Sequence, residues 1–210
     1  MRFSQADRST LFAAVLIALT YPGFIQSVVA QNKQADQRCK PYPEFALQPA
    51  PINAAPGSEY APSTRMYQAV PTIERTRTGR MWAAWTSGGP GEGPFNYVIV
   101  ATSDDDGNTW SDAKLVIDPP GYVEASDPRL WYDNRGRLWL FWSQAYVLSD
   151  GREGVWAIAS DNPDSPAPTW SEPVRIADGT VGGKPIILKN GQTSRTSLSM
   201  STSVTFDTAF

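Results

Sequence analysis

The chain contains no histidine and a single cysteine, Cys39. Without histidine there is no Ser-His-Asp or Cys-His catalytic arrangement and no His-ligated zinc or haem. One cysteine cannot close an internal disulfide. Basic charge is also short: 18 Lys and Arg stand against 21 Asp and Glu, a formal net charge of −3. Phosphate backbones are bound by basic faces, so nucleic acid is not an expected partner. No metal-ligand spacing or cofactor motif is visible, and neither a metal nor a cofactor is expected. Tryptophan, by contrast, is abundant: all eight lie between Trp82 and Trp170.

Residues 1–30 read as a secretory signal. Arg2 and Arg8 are followed by the apolar run Leu11–Thr20, and Val28-Val29-Ala30 places small residues before Gln31. The run is short for a bilayer span, so the expectation is export with cleavage and no membrane span thereafter. Residues 31–63 form a proline-rich leader, with Pro41, Pro43, Pro49, Pro51, Pro56 and Pro62 favouring an extended, surface-wrapped path. Cys39 falls within it and carries no predicted role.

From residue 64 the chain repeats itself at an offset of 57. Gly79-Arg80-Met81-Trp82-Ala83-Ala84-Trp85 aligns with Gly136-Arg137-Leu138-Trp139-Leu140-Phe141-Trp142, and Pro71 with Pro128 and then Pro185. After a three-residue insertion Thr109-Trp110-Ser111-Asp112 matches Thr169-Trp170-Ser171-Glu172. Each copy holds four short β-like runs separated by Gly, Asn and Asp turns. Met81–Trp85 and Leu138–Trp142 are apolar on both faces, as strands between layers must be. Four antiparallel strands at this period predict an all-β fold of propeller blades, at about 64–120 and 121–178, with a third beginning at 179.

Ser103-Asp104-Asp105-Asp106-Gly107-Asn108-Thr109-Trp110 fits Ser-x-Asp-x-Gly-x-Thr-Trp at every position. Asp105 can accept turn amides, Gly107 permits the left-handed backbone, and Trp110 is expected to fold back and bury its ring. Ser160-Asp161-Asn162-Pro163-Asp164 with Thr169-Trp170 is a degenerate second copy. On these residues the chain resembles, over about 64–192, the sialidase (neuraminidase) superfamily of Asp-box propellers. The resemblance implies a six-bladed propeller when complete, here about two blades plus the start of a third. It also implies a structural, peripheral role for Ser103, Asp105, Gly107, Thr109 and Trp110, and an axial sugar site at the starts of the innermost strands.

The family's site holds three arginines that grip a substrate carboxylate, an Asp acid/base and a Tyr–Glu nucleophile pair. The first arginine position is occupied here by Ala69, two residues before Pro71, with Arg65 nearby either to reach the axis or to anchor the leader. The family's acid/base loop corresponds to Ser87–Asn96, whose one carboxylate is Glu92. Glu92 is either a proton donor or an exposed loop glutamate. At the second strand entrance, Glu124-Ala125-Ser126-Asp127-Pro128-Arg129, Asp127 joins Glu92 as a candidate catalytic carboxylate. Arg129, Tyr67 and Lys184 join Arg65 as candidate substrate-binding residues. The alternative for Asp127 with Arg129 is a pair that holds neighbouring blades, and the site reading is the one favoured. The loop of the second copy adds Gln144, Asp150, Arg152 and Glu153 as groups for sugar hydroxyls.

The implied activity is that of a secreted exo-glycosidase acting on terminal sugars, with a glycan or oligosaccharide as partner. The alternative is a non-catalytic propeller that binds glycans or proteins. In residues 193–210 ten of the eighteen are Ser or Thr and the strand pattern lapses. That change leads to the expectation of a truncated or frame-shifted product whose isolated chain is inactive. Oligomeric state and sugar identity are not legible.

Overall fold

A computed structural model describes residues 43–147 and 150–189, together with the strand residues 193–194, 197–198 and 205–206. The expected signal, the first part of the leader and Cys39 lie outside the described residues. Among them no helix is long and apolar enough to cross a membrane.

The described chain is all-β apart from one helical turn, α1 (Pro43–Ala46), and two 3-10 turns at Ser58–Tyr60 and Pro62–Thr64. The first sheet contains β2 (Tyr67–Arg75), β3 (Met81–Gly88), β4 (Asn96–Ser103) and β5 (Leu115–Ile117) as an antiparallel meander, with β1 (Ile52–Asn53) added beyond β5. The second runs β6 (Val123–Tyr132), β7 (Leu138–Tyr146), β8 (Gly154–Ser160) and β9 (Val174–Asp178) in the same order. After these come two-residue pairings of β10 (Thr180–Val181) with β13 (Ser197–Leu198), and of β11 (Ile186–Ile187) with β12 (Thr193–Ser194), which also pairs β14 (Thr205–Phe206).

The two sheets pack face to face because alternate residues on each strand are apolar. Trp82, Ala84, Val98, Val100, Leu115 and Ile117 of the first meet Ala125, Leu130, Leu138, Leu140, Trp142, Trp156 and Ile158 of the second. Each large side chain so buried contributes about 1.5–3 kcal/mol. The intervening residues of the first sheet, Tyr97, Ile99 and Val116, form a second cluster under Tyr60 and Trp85. Both faces of these strands are therefore covered, which explains their uninterrupted apolar composition. Tyr60 fixes the 57–66 segment on that outer face, edge-on to Tyr97 at 5.0 Å and donating its hydroxyl to Asp118 at 2.8 Å.

The proline-rich segment is more deeply built in than a surface wrap. It supplies β1, and Ala46 and Ala50 are buried. The reason is Gln144, a fully buried amide whose Nε2 donates to the carbonyls of Phe45, Ala46 and Gln48 at 3.0, 3.2 and 2.7 Å.

Hydroxyls join neighbouring elements. Thr86 Oγ1 accepts from the Asp127 amide at 3.0 Å, and Thr72 Oγ1 from the Leu130 amide at 3.3 Å. Ser143, 57 residues after Thr86, repeats the device by accepting from the Val181 amide at 2.9 Å. Two meandering antiparallel sheets, packed on each other with β2 against β6, are consistent with a propeller-like arrangement.

Candidate functional site

One end of the two meanders is shaped by irregular backbone. The β2–β3 register shifts between Ala69 and Thr72, and the β6–β7 register between Ser126 and Arg129. Val70 and Asp127, each immediately before a proline, take left-handed φ values of 49° and 51°. These are β-bulges, which turn a strand and re-aim its side chains. Phe95 (φ 77°) and Val147 (φ 50°) are also left-handed. The fifth such non-glycine residue, Asp106, lies in the Ser103–Trp110 turn. Left-handed conformations of non-glycine residues cost on the order of 1–3 kcal/mol each and gather where function over-determines the backbone.

The Ser87–Asn96 loop closes over this end. A Cβ on Gly88 (φ 131°) would meet the Phe95 carbonyl oxygen, so only glycine fits there. Buried Asn96 accepts the Gly93 amide at 2.6 Å and donates to the Ser87 carbonyl at 3.4 Å. The loop thereby carries Glu92 and Gly93 to the start of β6.

Glu124 stands there, 3 % exposed, with no hydrogen-bond partner for its Oε2. Burial, followed by the charges of Glu92 and Asp127, pushes its carboxyl up to about 7, against the pull of the Gly93 amide. Asp127 is raised too, chiefly by burial and further by Glu92, while Arg129 and the Ser126 hydroxyl oppose the shift. The Tyr67 hydroxyl is raised by burial and then by Glu92, Asp127 and Glu124. Glu92, Glu124, Asp127 and Tyr67 are thus one electrostatic cluster, with Arg129 as its nearby cation. Phe95 and Tyr122 flank it in the chain. Both are well exposed, and their rings touch at 5.5 Å between centroids, tilted by 55°.

The other sequence candidates go elsewhere. Arg65 anchors the leader: Nε and Nη2 donate to the Tyr60 carbonyl at 3.0 and 2.7 Å, and its guanidinium lies 5.6 Å from the Trp85 ring. Arg129 donates to the Gly182 and Pro128 carbonyls at 3.3 and 2.8 Å. Lys184, expected to stand where Asp127 stands one repeat earlier, instead donates to the Ile73 carbonyl at 2.6 Å and to Glu74 at 3.1 Å. The repeat slips there. The amide caught by Ser143 belongs to Val181, three residues before Lys184, so the two prolines no longer mark equivalent places. Gln144 is consumed by the 45–48 segment, and Asp150 by Arg152 at 2.5 Å.

The Ser103–Trp110 turn is a closed local network. Asp105 accepts from Ser103 Oγ, the Thr109 amide and Thr109 Oγ1 at 2.8, 2.8 and 2.7 Å, and Gly107 has φ 84°. Asn162 makes the same contacts with Ser160 and Thr169 in the second sheet. Trp110 departs from expectation. It leaves 41 % of its surface exposed, whereas Trp170 packs edge-on against Trp82 at 5.7 Å. The difference follows from position: Trp170 has a neighbouring sheet to pack on, and Trp110 faces a cleft.

Glu124 was quoted in the sequence motif but given no role. No local signal marked it: an acidic residue between apolar Val123 and Ala125 is the ordinary alternation of a half-exposed strand.

No family model matches this chain, and no curated protein sequence matches it. Among solved structures it is similar to a protein of unknown function from Dyadobacter fermentans DSM 18053, at 15 % identity and a TM-score of 0.51, over 70 % of this chain and 49 % of that one. A mutant of Trypanosoma rangeli sialidase displaying trans-sialidase activity aligns at 16 % identity and a TM-score of 0.47, over 61 % of this chain and 26 % of that one. The chain spans about half the length of the first and a quarter of the second. The first likeness concerns the fold alone.

Proposed function

We propose, against the expectation of an inactive product read from residues 193–210, that this chain is an exported propeller of the Asp-box type, whose site performs glycoside hydrolysis on an uncharged terminal sugar. The observation that carries the reading is Glu124: buried, with one oxygen unpartnered, and half-protonated near neutral pH. A carboxylic acid in that state is a proton donor. It protonates the glycosidic oxygen as the bond to the anomeric carbon breaks, and the carboxyl groups of Glu92 and Asp127 stabilise the positive charge that develops on the sugar. A water deprotonated by one of them attacks the anomeric carbon, its proton returning to Glu124 through solvent. The Phe95–Tyr122 pair offers ring faces beside them for a sugar to stack on.

An uncharged sugar is favoured because the arginines are spent. Ala69 stands where the Asp-box enzymes place their first arginine, Arg65 is tied to Tyr60, and Arg129 to two carbonyls. What faces the site is three carboxyl groups against the one guanidinium of Arg129, an acidic excess that repels an anionic sugar. A second reading, glycan binding without chemistry, rests on the same missing grip.

The test is a panel of fluorogenic glycosides, neutral and sialic, with the wild-type chain and Glu124→Gln. Turnover of a neutral glycoside that declines as pH rises through about 7, and falls by roughly 10²–10⁴ in the variant, supports the proposal. Binding without turnover supports the second reading. Preference for the sialoside overturns the charge argument.

A further inference from the structure

The far end of the strands carries a cleft that the carboxyl cluster does not explain. β4 separates the two ends by its eight residues, roughly 25 Å at the rise of an extended strand. The cleft has a volume of about 500 Å³ and opens between the Ser103–Trp110 turn and the Ser165–Pro168 stretch of the second sheet. Its size lies within the range of about 300–1,000 Å³ usual for small-molecule sites.

Three features give it ligand chemistry. Trp110 lines it with a large exposed ring face. One edge of the ring lies near Gly107 of the turn, and the rest stays open. Trp170 occupies the matching place in the second copy of the motif and is packed away. Exposure of Trp110 is therefore not a requirement of the turn. Second, Lys114 lines the cleft, within electrostatic reach of Asp104. Third, Asp104 is held in place by Arg80, at 2.7 Å through Nε, yet keeps 66 % of its side chain open. Arg80 is itself fixed by the Pro163 and Ser165 carbonyls at 3.3 and 2.7 Å. Pro166 and Pro168 form the opposite, apolar wall.

We propose that this cleft is a second glycan-binding site, which takes an uncharged hexopyranose without acting on it. The sugar's C–H face stacks on Trp110, Lys114 donates to ring hydroxyls, and Asp104 accepts from them through the lone pairs Arg80 leaves free. Charge decides the sugar class. Arg80 and Lys114 are balanced by Asp104 and Asp105, so the cleft presents donors and acceptors without a net field to select an ion. The proposal stands apart from the reading of Glu124, since no residue is shared.

The test is an NMR titration of the full chain labelled at its tryptophan indole nitrogens, with Trp110 assigned from Trp110→Phe. The probes are methyl glycosides of glucose, galactose and mannose and free N-acetylglucosamine. The expected result is saturable movement of the Trp110 resonance with at least one probe. Affinity should weaken about tenfold in Lys114→Met, which leaves the turn intact, and should be unchanged in Glu124→Gln. No saturable movement with any probe overturns the proposal. So does movement of equal affinity in Lys114→Met and in the parent chain.

Discussion

A carboxylic acid that stays protonated to about pH 7 makes the native state pH-dependent as well as reactive. The folded value of Glu124 lies above its unfolded one. Its contribution is therefore complete below about 4.5 and is lost as pH rises through about 7. Wild-type chain is expected to lose about 3 kcal/mol of stability across that interval, and Glu124→Gln to flatten the dependence and to be the more stable form at pH 8. Urea denaturation at a series of pH values measures both. Asp105 has the opposite sign. Hydrogen bonds from the Thr109 amide and hydroxyl, then from Ser103, hold its carboxyl below the usual range, so its contribution is lost as pH falls. Because Asn162 already fills the same role, Asp105→Asn should keep the melting temperature at neutral pH and Asp105→Ala should lower it. A scanning calorimeter separates the two variants. The two residues also show what a sequence discloses. The contacts of Asp105 lie within four positions of it, so spacing alone reveals them. Glu124 depends on a loop some thirty residues earlier in the chain, and nothing local to it announces that neighbour.

At the scale of single elements, the turns differ in how much they hold. In the β6–β7 turn, buried Asp133 accepts from the Arg135 and Arg137 amides, each at 2.9 Å, and from Arg137 Nε and Trp139 Nε1, each at 3.0 Å. Burial alone would raise its carboxyl, but these donors outweigh burial and keep it below the usual value. Asp133→Ala leaves four donors without an acceptor and is expected to cost about 2–4 kcal/mol by chemical denaturation, whereas the exposed pair Arg152–Asp150 should cost under about 1. The strands themselves were legible, because alternation and the Gly79 and Gly136 turns are local properties. The bulges at Val70 and Asp127 were not. A proline was visible after each, yet the left-handed residue before it is imposed by pairing with the neighbouring strand.

At the scale of the whole molecule, the sheets are joined by an apolar layer and by a few hydroxyls at its border. Thr86→Val should remove the acceptor of the Asp127 amide, cost about 1–2 kcal/mol and, by freeing the bulge, lower affinity for a glycoside at the carboxyl cluster. Ser143→Ala should cost a similar amount without touching that cluster, since its partner is Val181. The offset of 57 made the two meanders readable, but a slip of three residues between Ser143 and Val181 puts Lys184 out of phase with Asp127. A repeat predicts contacts only while its phase is kept.

Residues 43–53 touch both sheets, β1 by pairing with β5 and the Phe45–Gln48 carbonyls through Gln144 on β7. Phe45 and Gln144 are 99 positions apart. During synthesis this stretch leaves the ribosome well before either partner exists, and it must wait, unpaired, until β7 has been made. It is a latch whose engagement reports that β5 and β7 are both in place. A protease that cuts near Leu47 only in chains halted before Tyr146 would read out that order directly.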